Sequence, residues 1–203
     1  MKLPCLFQFR ILKLAITSLF SRPFTTRFPA VPYEPIPQFR GRPRYHKDDC
    51  IGCGACAQVC PADAIDLSDD IKGTPPVRKL VQHLDTCIQC GQCERYCPTE
   101  KGIKLSNEYD YADFSRAHFE EKVEKELLLC ECCGEVIAPV DQLRWLVRRL
   151  GPLAFTNPTL MLVSARELDL VSEGVKVASD KAVRSQRVSI QCPKCRRKTA
   201  LAV

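Results

Sequence analysis

The chain has 203 residues, 45% of them hydrophobic, which is enough for one or two small cores and excludes a disordered tail. Its formal charge of +6 is uneven: residues 1–44 carry eight Lys/Arg against the single acid Glu34, while the other 22 basic and 23 acidic residues nearly cancel. Fourteen cysteines occur without a secretory signal, since Arg10 and Lys13 interrupt the apolar start and no cleavage site follows, so metal ligation is favoured over disulfides.

The first predicted element is a helix over residues 6–20, "LFQFRILKLAITSLF". Arg10, Lys13 and Thr17 fall at helical spacing along one stripe, Ser21 continues it, and Phe9, Ile11, Leu12, Ile16, Leu19 and Phe20 cover much of the rest. Pro23 ends the pattern. Crossing a bilayer takes ~20 apolar residues, more than this stretch supplies. It suits an amphipathic helix at a membrane surface or in a groove of a membrane subunit. A helix in the protein's own core and an Arg-rich mitochondrial presequence are the alternatives. Residues 28–44 hold five prolines and read as an extended docking strap. Residues 1–44 are therefore expected to act as one arm.

The next stretch is duplicated. Shifting the sequence by 37 aligns "CIGCGACAQVCP" (50–61) with "CIQCGQCERYCP" (87–98), together with His46 and His83, Asp48 and Asp85, and Gly54 and Gly91. Each copy reads C-x2-C-x2-C-x3-C-P, the run that holds 4Fe-4S clusters in two-cluster bacterial ferredoxins. Three thiolates on one tight loop wrap three irons of a cube, and the loop is too short to reach the fourth. The other copy supplies it. Cys50, Cys53, Cys56 and Cys97 are accordingly expected to hold one cluster, and Cys87, Cys90, Cys93 and Cys60 the other. Gly54 and Gly91 suit close backbone approach to the inorganic core. Ile51, Val59, Ile65, Ile88 and Ile103 are expected to form a dry shell, and Pro61 and Pro98 to turn the chain out of each loop. His46 and His83 lie outside the loops and read as ordinary polar residues. Two structural zinc sites are the competing assignment. Neither cluster leaves an open iron site, and no Ser-His-Asp set, phosphate-cradling loop or paired carboxylates are recognisable. A non-catalytic electron carrier follows, with the double-cluster domain spanning residues 45–110.

Residues 111–129, "YADFSRAHFEEKVEKELLL", read as helical. Beyond them Cys130 and Cys133 form one C-x-x-C pair and Cys192 and Cys195 another, a four-thiolate set suited to zinc in a ribbon-like region. Rubredoxin-type iron and free thiols are the alternatives. Gly134 permits a positive dihedral angle in the first knuckle; Cys132 and Cys5 are left over. In the insert, Asp141 is expected to cap a helix that Gly151 ends, and "NPTLMLVSARELDLV" to form another. The basic run "KCRRK" around Cys195 can offset the charge of a metal tetrathiolate, so nucleic-acid binding is not implied. The fold class is α+β: a ferredoxin-like core, an N-terminal helix, and residues 111–203 as a helical region around the four-cysteine site.

The order "SRPFTTRFPAVPYEPIPQFRGRPRY", the two cluster motifs, then "HFEEK…CECCGE…CPKC" resembles the ferredoxin-like subunit of membrane-bound group 4 NiFe hydrogenases of the formate hydrogenlyase and hydrogenase-4 type. The first two-thirds are also similar to the two-cluster subunit of respiratory complex I. The resemblance covers nearly the whole chain and is most specific over residues 20–105; the C-terminal cysteine pairs favour the hydrogenase branch. It implies an electron-relay subunit at the cytoplasmic face of the cell membrane, peripherally attached. Its expected partners are the hydrogenase small and large subunits, membrane subunits, and a ferredoxin-like or formate-oxidising donor. The alternatives are the equivalent subunit of a complex I-like quinone or ferredoxin oxidoreductase, at the mitochondrial inner membrane if the presequence reading holds, and a redox-sensing regulatory or assembly protein.

Overall fold

The computed structural model describes residues 8–168 and 189–201, and the expectations for Cys5 and for residues 169–171 lie outside them. The chain divides into two compact units, residues 1–38 and 39–203. In the first, helix α1 runs from Phe9 to Phe20. Thr17 Oγ1 donates to the Lys13 carbonyl, so part of the polar stripe satisfies the helix's own backbone.

In the second unit, strands β1 (Pro43–Tyr45), β2 (Ile65–Asp70), β3 (Val77–His83) and β4 (Ile103–Leu105) frame two short helices, α2 (Ala55–Gln58) and α3 (Gln92–Arg95). The helices are 37 residues apart, like the motifs that contain them. All strand pairings are antiparallel: β1 with β4, and β2 with β3. The opening strand of each repeat thus pairs with the closing strand of the other. Matching links flank both pairs, His46 N–H to Gly102 O at 3.1 Å and His83 N–H to Ala64 O at 2.8 Å.

Residues 120–129 correct the helical reading of 111–129. After a 3-10 turn at Arg116–Phe119, the chain enters strand β5 (Glu120–Leu129), which pairs with β3 on one side and with β6 (Val136–Pro139) on the other. Glu, Lys and Leu favour helices intrinsically, but burial here follows a period of two: Val123 and Leu127 enter the core while Lys122, Glu124 and Glu126 face solvent. Two flanking strands override the propensity, and Lys79 meets its cross-strand partner Glu124 at 3.8 Å.

Helix α4 (Val140–Leu150) follows β6 directly, so Pro139 occupies the cap position and Asp141 does not. The Asp141 carboxylate instead accepts from Lys125 Nζ at 2.7 Å and Arg144 at 3.1 Å. Gly151 does end the helix, at φ +54°. Helix α5 (Pro158–Glu167) has Asn157 as its cap, accepting from Thr159 N–H, with Pro158 in the first turn. Leu143, Ala154, Leu160 and Val163 form a core against Leu128 and Ala138 of the sheet. Helix α6 (Pro193–Leu201) completes the described chain.

Candidate metal centres

The two repeats build matching loops. Gly54 and Gly91 precede α2 and α3 at φ +78° and +77°, a left-handed conformation that side chains resist. A Cβ at Gly54 would also lie 2.5 Å from Leu67 Cδ1, and one at Gly91 3.3 Å from Leu105 Cδ1. These glycines therefore serve the chain reversal and the packing of β2 and β4.

The crossed strand pairing decides which cysteines meet. Cys97 leads into β4, which lies beside β1 and so beside the first loop; Cys60 leads into β2, beside β3 and the second loop. One cavity is accordingly lined by Cys50, Cys53, Cys56 and Cys97, and another by Cys60, Cys87, Cys90 and Cys93. Counting space open to solvent, they measure about 300 and 340 Å³, a matched pair. Tyr45, Ile51, Leu80 and Ile103 wall the first; Pro43, Ile65, Ile88 and Leu105 wall the second.

The dry shell needs one correction. Ile51, Ile65 and Ile103 are buried and Val59 is half-buried, but Ile88 is 64% exposed. Its counterpart Ile51 sits in the loop covered by β5 and β6, where Gly52 packs against Lys125 and Pro139; over the second loop the contacts come from single side chains, Tyr111 accepting from Gln89 and Arg40 donating to the Cys90 carbonyl, and Ile88 stays on the surface.

Burial pushes the Cys56 thiol up to about 11 and that of Cys93 up to about 12, and raises Cys50 too. These thiols are neutral until metal displaces their protons. At Cys97 burial acts in the same direction but is outweighed by the Thr99 hydroxyl and by N–H groups of Thr99, Gly102 and Ile103, which lower it. Further donors aim at sulfur: Ala64 N–H reaches Cys60 Sγ at 3.3 Å and Gln89 N–H reaches Cys87 Sγ at 3.4 Å. Two side chains do the same and escaped the sequence reading. Tyr45 Oη lies 3.6 Å from Cys56 Sγ, and Gln82 Nε2 lies 3.8 Å from Cys87 Sγ. The signal was the 37-residue shift itself, which puts Tyr45 and Gln82 at one repeat position; a search for identical residues passes over them. His46 is exposed, and His83 bonds Asp66 at 3.0 Å.

Cys130, Cys133, Cys192 and Cys195 come together, their sulfurs within 4.8 Å of one another. The first pair sits in the β5–β6 turn, where Gly134, at φ +72°, donates to the Cys130 carbonyl at 2.8 Å. The second opens α6, so one half of the site is a hairpin knuckle and the other a helical turn, which departs from two ribbon hairpins. The Cys133–Cys192 sulfur separation is 3.7 Å, against about 3.8 Å across a tetrahedral ion with Zn–S bonds of about 2.3 Å. At Cys130 burial acts to raise the thiol, but N–H groups of Cys192, Cys133 and Cys132 outweigh it and bring it down to about 6, while hydrogen bonds among the neighbouring sulfurs raise Cys195 and Cys133, so the four thiols share protons among themselves. That favours the thiolate a metal needs. Cys132 is exposed and outside the set. Lys194 of the basic run pairs with Glu135 at 3.1 Å, and Arg196 reaches Thr159 at 3.0 Å. Among the described residues no other three such ligand atoms converge this closely.

Residues 38–101 match the 4Fe-4S dicluster domain family. This stretch is a 4Fe-4S dicluster domain. The chain is an iron-sulfur electron-transfer subunit, similar to formate hydrogenlyase subunit 6 of Escherichia coli (strain K12), with 29% identity over 179 residues that span 87% of this chain and 83% of the relative. A solved relative is a chain of the membrane-bound sulfane sulfur reductase, an archaeal respiratory membrane complex, with 28% identity and a TM-score of 0.40 over 59% of this chain and 61% of that one, less than two thirds of its length. The dicluster domain begins at the boundary between the two compact units and contains all eight loop cysteines. Among the described residues no helix is long and apolar enough to cross a membrane.

Proposed function

We propose that the chain relays electrons, one at a time, through two 4Fe-4S clusters inside a membrane-bound NiFe hydrogenase complex of the formate hydrogenlyase type. The observation that carries this reading is the pair of cavities, each lined by three cysteines of one repeat and one of the other. Cys50, Cys53, Cys56 and Cys97 would hold one cluster and Cys87, Cys90, Cys93 and Cys60 the second, with cluster reduction and oxidation supplying the chemistry. The chain's own residues bury the sulfurs, donate to them and exclude water. Similarity to formate hydrogenlyase subunit 6 over most of both chains supports hydrogenase small, large and membrane subunits as neighbours, with a ferredoxin-like or formate-oxidising donor.

Three segments divide the work. Residues 111–203 hold a structural zinc at Cys130, Cys133, Cys192 and Cys195, supported by the sulfur spacing and the low Cys130 thiol. Residues 45–110 carry the electrons. Residues 1–44 are the docking arm: α1 exposes Phe9, Leu14, Leu19 and Phe20 with Arg10 and Lys13 among them, an amphipathic surface that suits peripheral attachment at the cytoplasmic face of the membrane.

One experiment tests these assignments together. The full chain and a version lacking residues 1–22 are purified anaerobically, with metal analysis and membrane fractionation of the host complex. Both should contain about eight irons and about one zinc per chain, and only the full chain should remain with the membrane fraction. Iron near four would sink the two-cluster reading, absent zinc the structural-ion assignment, and full membrane retention of the short version the docking role.

A further inference from the structure

The geometry points to Tyr45 and Gln82 as the residues that set the reduction potentials of the two clusters separately, each by donating a hydrogen bond to one ligand sulfur of its own cluster. This rests on the cluster assignment above. The two residues are repeat equivalents, 37 positions apart on β1 and β3, and each lines the cavity that its strand leads into. Both are buried, Tyr45 to 8% exposure and Gln82 to 1%. A thiolate sulfur bound to iron carries no proton, so at the 3.6 Å Tyr45–Cys56 and 3.8 Å Gln82–Cys87 contacts the hydroxyl and the amide are the donors.

Gln82 gives a second reason to look for function. Its Oε1 is buried without a hydrogen-bond partner among the described residues. An unpaired buried amide oxygen opposes folding, so packing alone would be better served by an apolar side chain of similar size. What the amide does accomplish is to turn its N–H toward Cys87. Local rules are commonly broken where a site requires it.

The physical effect has a definite sign. Reduction adds negative charge to the cluster and its sulfurs, a donor hydrogen bond strengthens as that charge grows, and the reduced state gains more than the oxidised one. Low local polarity amplifies the difference. The ligand sets are identical, four cysteines each, so unlike donors at the equivalent position give the clusters unlike potentials. The phenol is the closer donor, and its removal should produce the larger shift. Tyr45 and Gln82 are positioning residues: they act on the clusters through ligand sulfurs.

The test is a redox titration of the anaerobically purified full chain followed by electron paramagnetic resonance, comparing wild type with Tyr45→Phe and Gln82→Leu. Wild type should show two midpoints. Tyr45→Phe keeps the ring and should lower one of them by up to about tenfold in the reduced-to-oxidised ratio at a fixed potential, ~59 mV for a one-electron couple. Gln82→Leu should lower the other, by less. The guanidinium midpoint for cluster bleaching, recorded alongside, identifies a packing role, which would move that midpoint and leave the potentials in place. If Gln82→Leu fails to assemble, Tyr45→Phe alone decides. Unchanged potentials in Tyr45→Phe, or both substitutions moving the same midpoint, would overturn the inference. Wild type with iron well below eight would overturn the cluster assignment beneath it.

Discussion

The two cysteine loops share ligand type, spacing, glycine turns and helix geometry, yet two strands roof one, whereas the other, the open loop, is met by single side chains, Tyr111 at Gln89 and Arg40 at the Cys90 carbonyl. Over the first loop, Lys125 Cβ and Cγ of β5 and Pro139 of β6 close on Gly52, Arg78 donates to the Gly52 carbonyl at 3.3 Å, and Lys125 Nζ holds the Lys47 carbonyl at 2.6 Å. The equivalent position in the second loop is Gln89. Both residues have positive φ, +66° and +53°, but a Cβ at Gly52 would stand 3.0 Å from Lys125, so only the roofed loop requires glycine. The repeat provides two like loops, and the downstream strands β5 and β6 cover one of them. The covered loop is anchored; the open one carries Ile88 and Tyr96 on its surface.

The largest expected effect tests whether the loops are as interdependent as the crossed strands require. Cys60→Ser should remove the cluster of the open loop, although Cys60 lies in the sequence of the roofed one, and Cys97→Ser should remove the cluster of the roofed loop. Iron should fall from about eight to about four per chain in each. Spectroscopy of the two variants should show complementary losses. If Cys60→Ser lost the cluster of its own sequence motif, both the crossing and the comparison built on it would fail.

The next effect separates cover from exposure. Ile51→Ala empties a buried position and should destabilise the domain by about 2–4 kcal/mol, read as an earlier guanidinium midpoint for cluster bleaching. Ile88→Ala should change that midpoint by less than about 0.5 kcal/mol, since little burial is lost. It should instead slow electron flow through the assembled complex. Equal midpoint shifts in both variants would show that the loops are equally covered in solution.

The halves differ in how much of them could be read from sequence, for physical reasons. The loops were legible because cluster ligation constrains residue type at every third or fourth position, and a duplicated constraint leaves an exact repeat period. The four-cysteine site was legible for the same reason although 59 residues separate Cys133 from Cys192. Helices α4 and α5 were legible in outline, α4 through Gly151 at its C-terminal end. Strand β5 did not, because Glu, Lys and Leu compose a helix well in isolation and only the neighbours β3 and β6 impose a period of two. The roof itself was invisible, since it depends on contacts such as Gly52 with Lys125, 73 positions apart. So was the role of Asp141, which looked like a cap while the strand before it ran straight into the helix.

Asp141 gives the smallest prediction and the one most specific to the roof. Its carboxylate joins α4 to Lys125, the same side chain that grips Lys47 and packs on Gly52. Burial acts to raise the Asp141 carboxyl, but hydrogen bonds and charge from Lys125 and Arg144 outweigh it and hold the group below its ordinary range. A carboxyl lowered by folding contributes stability that is complete above the unfolded value, about 3.9, and is lost only as pH falls through the folded value. The Asp141 side chain is 35% exposed and that of Lys125 12%, so solvent screening limits the pair's contribution to about 1 kcal/mol. Asp141→Asn should therefore bleach at a lower guanidinium concentration than wild type, by about 1 kcal/mol, and the gap should stay constant from about pH 8 to about pH 5. It should narrow only below the unfolded carboxyl range. A gap already closing near neutral pH would assign the anchor to a different titrating group. No gap at any pH would mean that apolar packing of β5 and β6 holds the roof unaided.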